Sequence, residues 1–366
     1  MRIGINARIL QYPSGGAREY LACLLDSLLE LDQENTYVLF YQEKSFPEAF
    51  SQAEHVQLAR SHRLVFDWVQ LPRALTKHSI DLAFFPASSM PGTVRTPSVV
   101  SMLDLGYFVR EYRMYKTADT LYMRYAIGLA SRKAQRLTAI SDYTAQDVVR
   151  RLGTPRNKID VTPLAADPIY GTAPPENAVI AFATKHSLPK RFFLYTGNIS
   201  PRKNLTTLLN AFSRIKDNTD TRLVITGGTS WGEDFDNELT TYDLHEHVIR
   251  LGHVKKAEMP LLYTNALAFV FPSRFEGFGL PILEAQAMAV PVASSSATSL
   301  PEVGGDGALY FDPDDPVRLA EILQQLESDP QLREQLIRAG HKNCAQFTWH
   351  ETARRTLASF QKAMMP

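Results

Sequence analysis

Two successive runs of short apolar segments alternating with helical patterns, split by a proline-rich stretch, constrain this chain more than any other feature. In the first run the strands begin with Arg2–Ile5, Tyr37–Tyr41, Leu82–Phe85 and Ser98–Leu103, and Leu137–Ile140 follows. Helical spacing falls between them over Ala17–Leu31, Phe66–Lys77, Ala118–Ala134 and Tyr143–Leu152, with Asp142 placed to cap the last. Pro163, Pro168, Gly171, Pro174, Pro175 and Pro189 then break the rhythm, and the first part of that segment reads as a linker. The second run has strands at Phe192–Thr196, Arg222–Thr226, Val248–Leu251, Ala266–Phe271 and Val292–Ser294. Its helices cover Leu205–Ile215, Met259–Tyr263, Ile282–Met288 and Pro316–Glu327, and a last helical region, about Pro330 to Ala363, is interrupted near Phe347-Thr-Trp. Such alternation makes mainly parallel sheets covered by helices. The expected fold is therefore α/β, two Rossmann-like domains facing each other across a deep cleft, with ligands at the carboxyl ends of the strands. The expected domains are residues 1–168 and 169–346.

Composition narrows the class. A chain of 366 residues, 45% hydrophobic and 21% charged, is long enough for two full cores and reads as soluble and globular. Its 39 basic and 39 acidic residues cancel, so global charge gives no reason to expect nucleic acid as a partner. Cys23 and Cys344 make neither a metal spacing nor a disulfide framework and fit a reducing cytoplasm. Met1-Arg-Ile-Gly-Ile-Asn6 reads as a first strand rather than a signal peptide. No apolar run approaches the roughly 18 residues that span a bilayer. The expected location is cytoplasmic, with any membrane contact peripheral, at the inner face.

Four segments carry chemistry. Glu276-Gly-Phe-Gly-Leu-Pro-Ile-Leu-Glu284 puts two carboxylates around two glycines and a helix-opening proline. Gly277 and Gly279 let backbone approach a ligand, Pro281 suits the first helical position, and the helix N-terminus favours phosphate. Glu284, expected in the first turn, would accept hydrogen bonds from vicinal hydroxyls. Thr196-Gly-Asn-Ile-Ser-Pro-Arg-Lys-Asn204 follows a strand and opens a helix, so Arg202 and Lys203 stand at a ligand-facing edge suited to a diphosphate. Ser14-Gly-Gly-Ala-Arg-Glu19 is a glycine turn after the first strand, short of the full dinucleotide fingerprint. Asp104 sits just past an apolar strand, where it would bind a sugar hydroxyl or simply bond its own loop. Each segment has an ordinary reading as a loop, turn or solvated charge; their combination favours the ligand. His253 and Val254 follow a strand where backbone groups could read a base. Residues 110–136 interleave Arg110, Arg113, Lys116, Arg124, Arg132 and Lys133 with Tyr107, Tyr112, Tyr115, Tyr122 and Tyr125, either an acidic-lipid contact or one buried and one solvated face.

On these residues the chain resembles the retaining glycosyltransferases of glycosyltransferase family 4, which have the GT-B fold, over essentially its whole length. Glu276 and Glu284 match that family's E-x7-E motif, Arg202 and Lys203 its diphosphate-binding pair, and Gly15 and Gly16 its glycine loop. Ser299–Gly307 and Phe347–Ala353 are similar too, and the resemblance implies that residues 1–168 form the acceptor domain and 169–346 the nucleotide-sugar donor domain, with the last helix, about 347–366, crossing back onto the first. The resemblance implies transfer of a hexose from UDP-glucose or GDP-mannose to a saccharide or lipid-linked hydroxyl, in exopolysaccharide or lipopolysaccharide synthesis. The implied catalytic set is Arg202, Lys203, Glu276 and Asp104; the donor-binding set is Gly15, Gly16, Asn198, Val254, Phe278, Gly279, Leu280 and Glu284. No metal and no cofactor are expected, because cationic side chains and backbone donors already face the diphosphate. Leu103 stands where many members have histidine, and Ala289 where glycine is common; alanine is expected to need only ordinary backbone angles there. A glycoside hydrolase, a sugar-nucleotide epimerase and an inactive sugar-nucleotide-binding protein remain alternatives.

Overall fold

Every strand pairing is parallel among the described residues. The structure is a computed structural model that describes residues 1–12, 15–43, 50–109, 111, 117–228 and 235–365. Ser14, Arg110, Tyr112, Arg113, Tyr115 and Lys116, singled out above, lie outside the described residues.

The chain divides into two units: residues 1–109, 115–165 and 347–366 form the first, and residues 110–114 and 166–346 the second. The first unit's strands are β1 (Arg2–Asn6), β2 (Thr36–Tyr41), β3 (Glu54–Gln57), β4 (Leu82–Phe85), β5 (Ser98–Met102), β6 (Arg136–Ala139) and β7 (Ile159–Val161). They lie in the order β3-β2-β1-β4-β5-β6-β7. The second unit's are β8 (Phe192–Thr196), β9 (Arg222–Thr226), β10 (Val248–Gly252), β11 (Ala268–Phe271), β12 (Val292–Ser295) and β13 (Ala308–Phe311), in the order β10-β9-β8-β11-β12-β13. Both sheets reverse direction of growth once, beside β1 and β4 in one unit and beside β8 and β11 in the other. At such a switch point the flanking loops part and leave a crevice at the strands' carboxyl ends.

Burial explains why most strands read as continuous apolar runs. In β8, Phe193 and Tyr195 face one core cluster while Phe192 and Leu194 face another. Both sheet faces are covered, so neither side of the strand needs polar residues. The strands without a sequence signal, β3, β7 and β13, lie at sheet edges. β3 reads Glu-His-Val-Gln and is largely exposed, so no apolar run marks it.

The proline-rich segment carries a helix in its second part, Glu176–Lys185, which begins directly after Pro175. Two expectations are corrected. Ser141, not Asp142, caps helix Asp142–Leu152, its Oγ accepting from Thr144 N–H at 3.0 Å. Ala289 adopts φ +58°, the left-handed region, rather than ordinary angles. It follows helix Leu280–Ala287, where Val290 N–H donates to Ala285 O at 2.9 Å and Ala289 N–H to Gln286 O at 3.2 Å. These bonds close a Schellman turn, whose left-handed position is a glycine site by preference.

The last helix, Trp349–Met364, belongs to the first unit and is capped by Thr348. Phe360 meets Phe84 of β4 edge-on at 5.1 Å between ring centres. Lys362 and Arg136 share Asp160 of β7, at 2.7 and 2.8 Å.

Candidate active site

The second unit's switch point gathers the two segments that the sequence singled out. Arg202 and Lys203 end a short 3-10 turn, Pro201–Lys203, after β8. Glu276 and Gly279 lie in the loop after β11. Asn204 fixes the first loop: it takes φ +58°, tolerable for asparagine, and its Nδ2 donates to Pro272 O at 3.0 Å and Pro313 O at 2.7 Å. Arg274 N–H donates to Arg202 O at 2.8 Å, which joins the two loops. Gly227 and Gly197 pass so closely that a Cβ on Gly227 would stand 2.0 Å from Gly197 O.

Glu276 Oε1 lies 2.8 Å from Arg202 Nη1 and 2.7 Å from Lys203 Nζ. Lys203 is 8% exposed and sits over the Phe271 ring, 4.7 Å from its centre. Burial alone would raise the Glu276 carboxyl, but the two cations outweigh it and hold it down at about 2. Burial pulls the Lys203 ammonium below its ordinary value, against the attraction of Glu276. The trio carries two positive charges and one negative, so it is set for an anion that can compete with Glu276 for the cations.

Glu284 does not lie in the first helical turn as expected. The helix starts at Leu280 with Pro281 second, which puts Glu284 in the following turn. There Tyr263 OH donates to its Oε2 at 3.0 Å, and Tyr170 bonds it as well. Burial pushes its carboxyl up to about 7, against those hydrogen bonds. Thr196 Oγ1 lies 3.3 Å from Tyr263 OH and extends the network to β8.

The other expected donor residues fall as follows. Gly279 caps the helix at φ +119°, and a Cβ there would stand 2.7 Å from Leu300 Cδ2. Phe278 is buried, its carbonyl accepting from Ser299 Oγ at 2.8 Å; Leu280 is half-buried. Asn198 is exposed, and its carbonyl accepts from Tyr195 OH at 3.1 Å. Val254 packs into the core, which leaves only its backbone for a ligand. Gly15 and Gly16 belong to the first unit, at the start of helix Gly16–Leu31, where a Cβ on either would meet open space. Asp104 is in the first unit too: its Oδ1 accepts from Gly106 N–H at 2.8 Å, and it lines a cavity of about 270 Å³. Of the basic and aromatic stretch, Tyr122 lines that cavity while Tyr125 is exposed. Among the described residues no helix is long and apolar enough to cross a membrane, and no cluster of three His, Cys, Asp or Glu is placed to hold a metal ion.

Sequence reasoning missed Tyr263 and Tyr170 around Glu284, and Phe271 beneath Lys203. None of the three lies in a singled-out segment; Tyr170 and Tyr263 come from separate helical turns and Phe271 from the end of β11.

Solved structures define the class of fold. The protein matches Anabaena Alr3699/HepE in complex with UDP-glucose at TM-score 0.78, with 18% identity over 99% of each chain. It matches WaaG, a glycosyltransferase involved in lipopolysaccharide biosynthesis, at TM-score 0.77, with 16% identity over all of both chains. The fold is GT-B: two Rossmann-like units, each on a parallel sheet. More particularly, residues 178–343 match the model of the family described as glycosyl transferases group 1. O-antigen chain mannosyltransferase B of Escherichia coli is 34% identical over 244 residues, 66% of this chain and 64% of that protein. The matched region thus spans just under two thirds of that relative's length.

Proposed function

We propose that the protein is a retaining mannosyltransferase that uses GDP-mannose as donor and a saccharide hydroxyl as acceptor. The observation that carries this is the Arg202–Lys203–Glu276 trio at the β8/β11 switch point, beside the N-terminus of helix Leu280–Ala287. The choice of mannose over glucose rests on the Escherichia coli relative, whose name gives mannosyl transfer onto an O-antigen chain. UDP-glucose is the competing donor.

On this reading the donor diphosphate displaces Glu276 from the two cations and lies against the helix N-terminus. The bond between the anomeric carbon and the diphosphate oxygen breaks, and negative charge grows on the diphosphate. Arg202 and Lys203 stabilise that charge; losing one such donor typically costs on the order of 3 kcal/mol in the barrier. Glu276, released, holds the sugar by its hydroxyls, and Glu284 meets the ribose. The acceptor oxygen bonds the anomeric carbon on the face that the diphosphate leaves, and the departing oxygen takes the acceptor's proton. That route needs no histidine at Leu103. The acceptor saccharide is carried on a lipid during polysaccharide or lipopolysaccharide assembly, with peripheral membrane contact. The test is release of GDP from GDP-mannose with and without a mannose-terminated acceptor. Acceptor-dependent release with an α-linked product supports the reading; release that ignores the acceptor supports a hydrolase.

A further inference from the structure

Thr298 is, among the described residues, the only β-branched residue with a positive φ, at +55°. Branching at Cβ makes left-handed backbone a strained choice, and such a conformation persists only where the surroundings fix it. Its hydroxyl shows one thing that fixes it: Thr298 Oγ1 accepts from Glu276 N–H at 3.1 Å. We propose that Thr298 is a positioning residue for Glu276. Its strained backbone holds a hydroxyl against the peptide from which the Glu276 carboxylate turns between the two cations and the donor sugar. The proposal rests on the transferase reading above and deepens it by naming what aims that carboxylate.

The next residue completes the hold. Ser299 is fully buried, and its Oγ donates to Glu276 O at 3.1 Å and to Phe278 O at 2.8 Å. Both backbone polar groups of Glu276 are thus bonded to the hydroxyls of two adjacent residues in the loop after β12. On extended backbone, adjacent side chains point to opposite faces. The left-handed turn at Thr298, followed by helical angles at Ser299 (φ −83°, ψ −7°), lets both hydroxyls reach one peptide segment. The loop is itself anchored on either side of them. Ser295 Oγ donates to Ser273 O at 2.5 Å, and Leu300 is fully buried, its Cδ2 filling the place where Gly279 lacks a Cβ.

The chemistry gives this hold a purpose. On the transferase reading the Glu276 carboxylate has two tasks. Without donor it pairs with Arg202 and Lys203; with donor it yields the cations to the diphosphate and binds sugar hydroxyls. With its N–H and C=O tied, the exchange is confined to side-chain torsions, and the carboxylate arrives at the sugar from a fixed Cα. Placement matters at this scale, since a displacement of about 1 Å at a reacting centre can cost roughly 100-fold in rate.

The experiment uses the full chain with GDP and GDP-mannose, and mannobiose as acceptor. Thr298→Val keeps the shape and the branching but removes the acceptor for Glu276 N–H. It is expected to lower kcat about ten-fold, the scale of one lost hydrogen bond, with a smaller change in donor KM. The GDP-induced rise in melting temperature, which reads Arg202 and Lys203, is expected to persist. Thr298→Ser keeps the hydroxyl and is expected to bring kcat back to within about two-fold of wild type. Thr298→Gly removes hydroxyl and strain together and takes left-handed angles freely. It is expected to lose kcat as Thr298→Val does, and it decides the matter if Thr298→Val does not fold. A threonine that only braced the loop would leave kcat per folded molecule unchanged in both. The proposal is overturned by that result, by Thr298→Ser falling as far as Thr298→Val, or by loss of the GDP shift together with kcat in Thr298→Val and Thr298→Gly. Absence of a GDP shift in the wild type would instead overturn the reading on which it rests.

Discussion

Glu276 Oε1 stands 2.7 Å from Lys203 Nζ, and the same oxygen also holds Arg202. Without donor, the carboxylate occupies the cations that the diphosphate would need. Glu276→Gln removes that internal competitor. GDP is expected to bind the variant more tightly, by ~ten-fold, the scale of one charged hydrogen bond. Transfer is expected to fall by about 100-fold or more, because the sugar loses its anchor. Isothermal titration and initial rates check both; weaker GDP binding would show that Glu276 supports the diphosphate site rather than competing for it.

Glu284 makes stability depend on pH in a direction opposite to most carboxylates. Its folded value of about 7 exceeds the ordinary 4.5, so the folded state holds a proton that the unfolded chain has released. That contribution is full below the ordinary value and is lost as pH rises toward the folded one. Urea unfolding across this window should show the wild type losing ground to Glu284→Gln as pH rises, by at most about 1.4 kcal/mol per pH unit. Parallel profiles for the two proteins would contradict the burial of this carboxylate.

Ala289 pays a strain cost at φ +58°. Ala289→Gly is expected to stabilise the protein by about 1 kcal/mol, since glycine takes left-handed angles freely. Denaturant midpoints of the two proteins decide it, and an unchanged or lower midpoint in the variant would count against the Schellman geometry.

Gly227→Ala is expected to do the reverse. Its φ is +127°, and the added methyl would meet the Gly197 carbonyl, which is backbone and cannot rotate away. Poor soluble yield, or loss of the GDP thermal shift in what does fold, is the expected result. A variant with wild-type stability and GDP binding would mean that the β8 and β9 exits are looser than the structure shows.

The sequence was most legible where burial forces a pattern. β8, covered on both faces, announces itself as Phe-Phe-Leu-Tyr-Thr; β3, half-solvated at an edge, reads as a polar loop. The helix after Pro175 was hidden because proline opens helices as readily as it breaks them. At the site, Arg202, Lys203, Glu276 and Gly279 could be read because they lie in short contiguous segments. Tyr170, Tyr263 and Phe271 could not, since they come from distant elements and meet Glu284 or Lys203 only through tertiary packing.

The most direct test of the central claim is a thermal-shift titration with GDP, UDP, ADP and GDP-mannose on the wild type and on Arg202→Ala/Lys203→Ala. A ligand that binds only the native state raises the melting temperature by mass action. The account expects GDP and GDP-mannose to raise it, and the double variant to lose the rise while remaining folded. No rise with any nucleotide at saturating concentration, or an equal rise in the double variant, would contradict it.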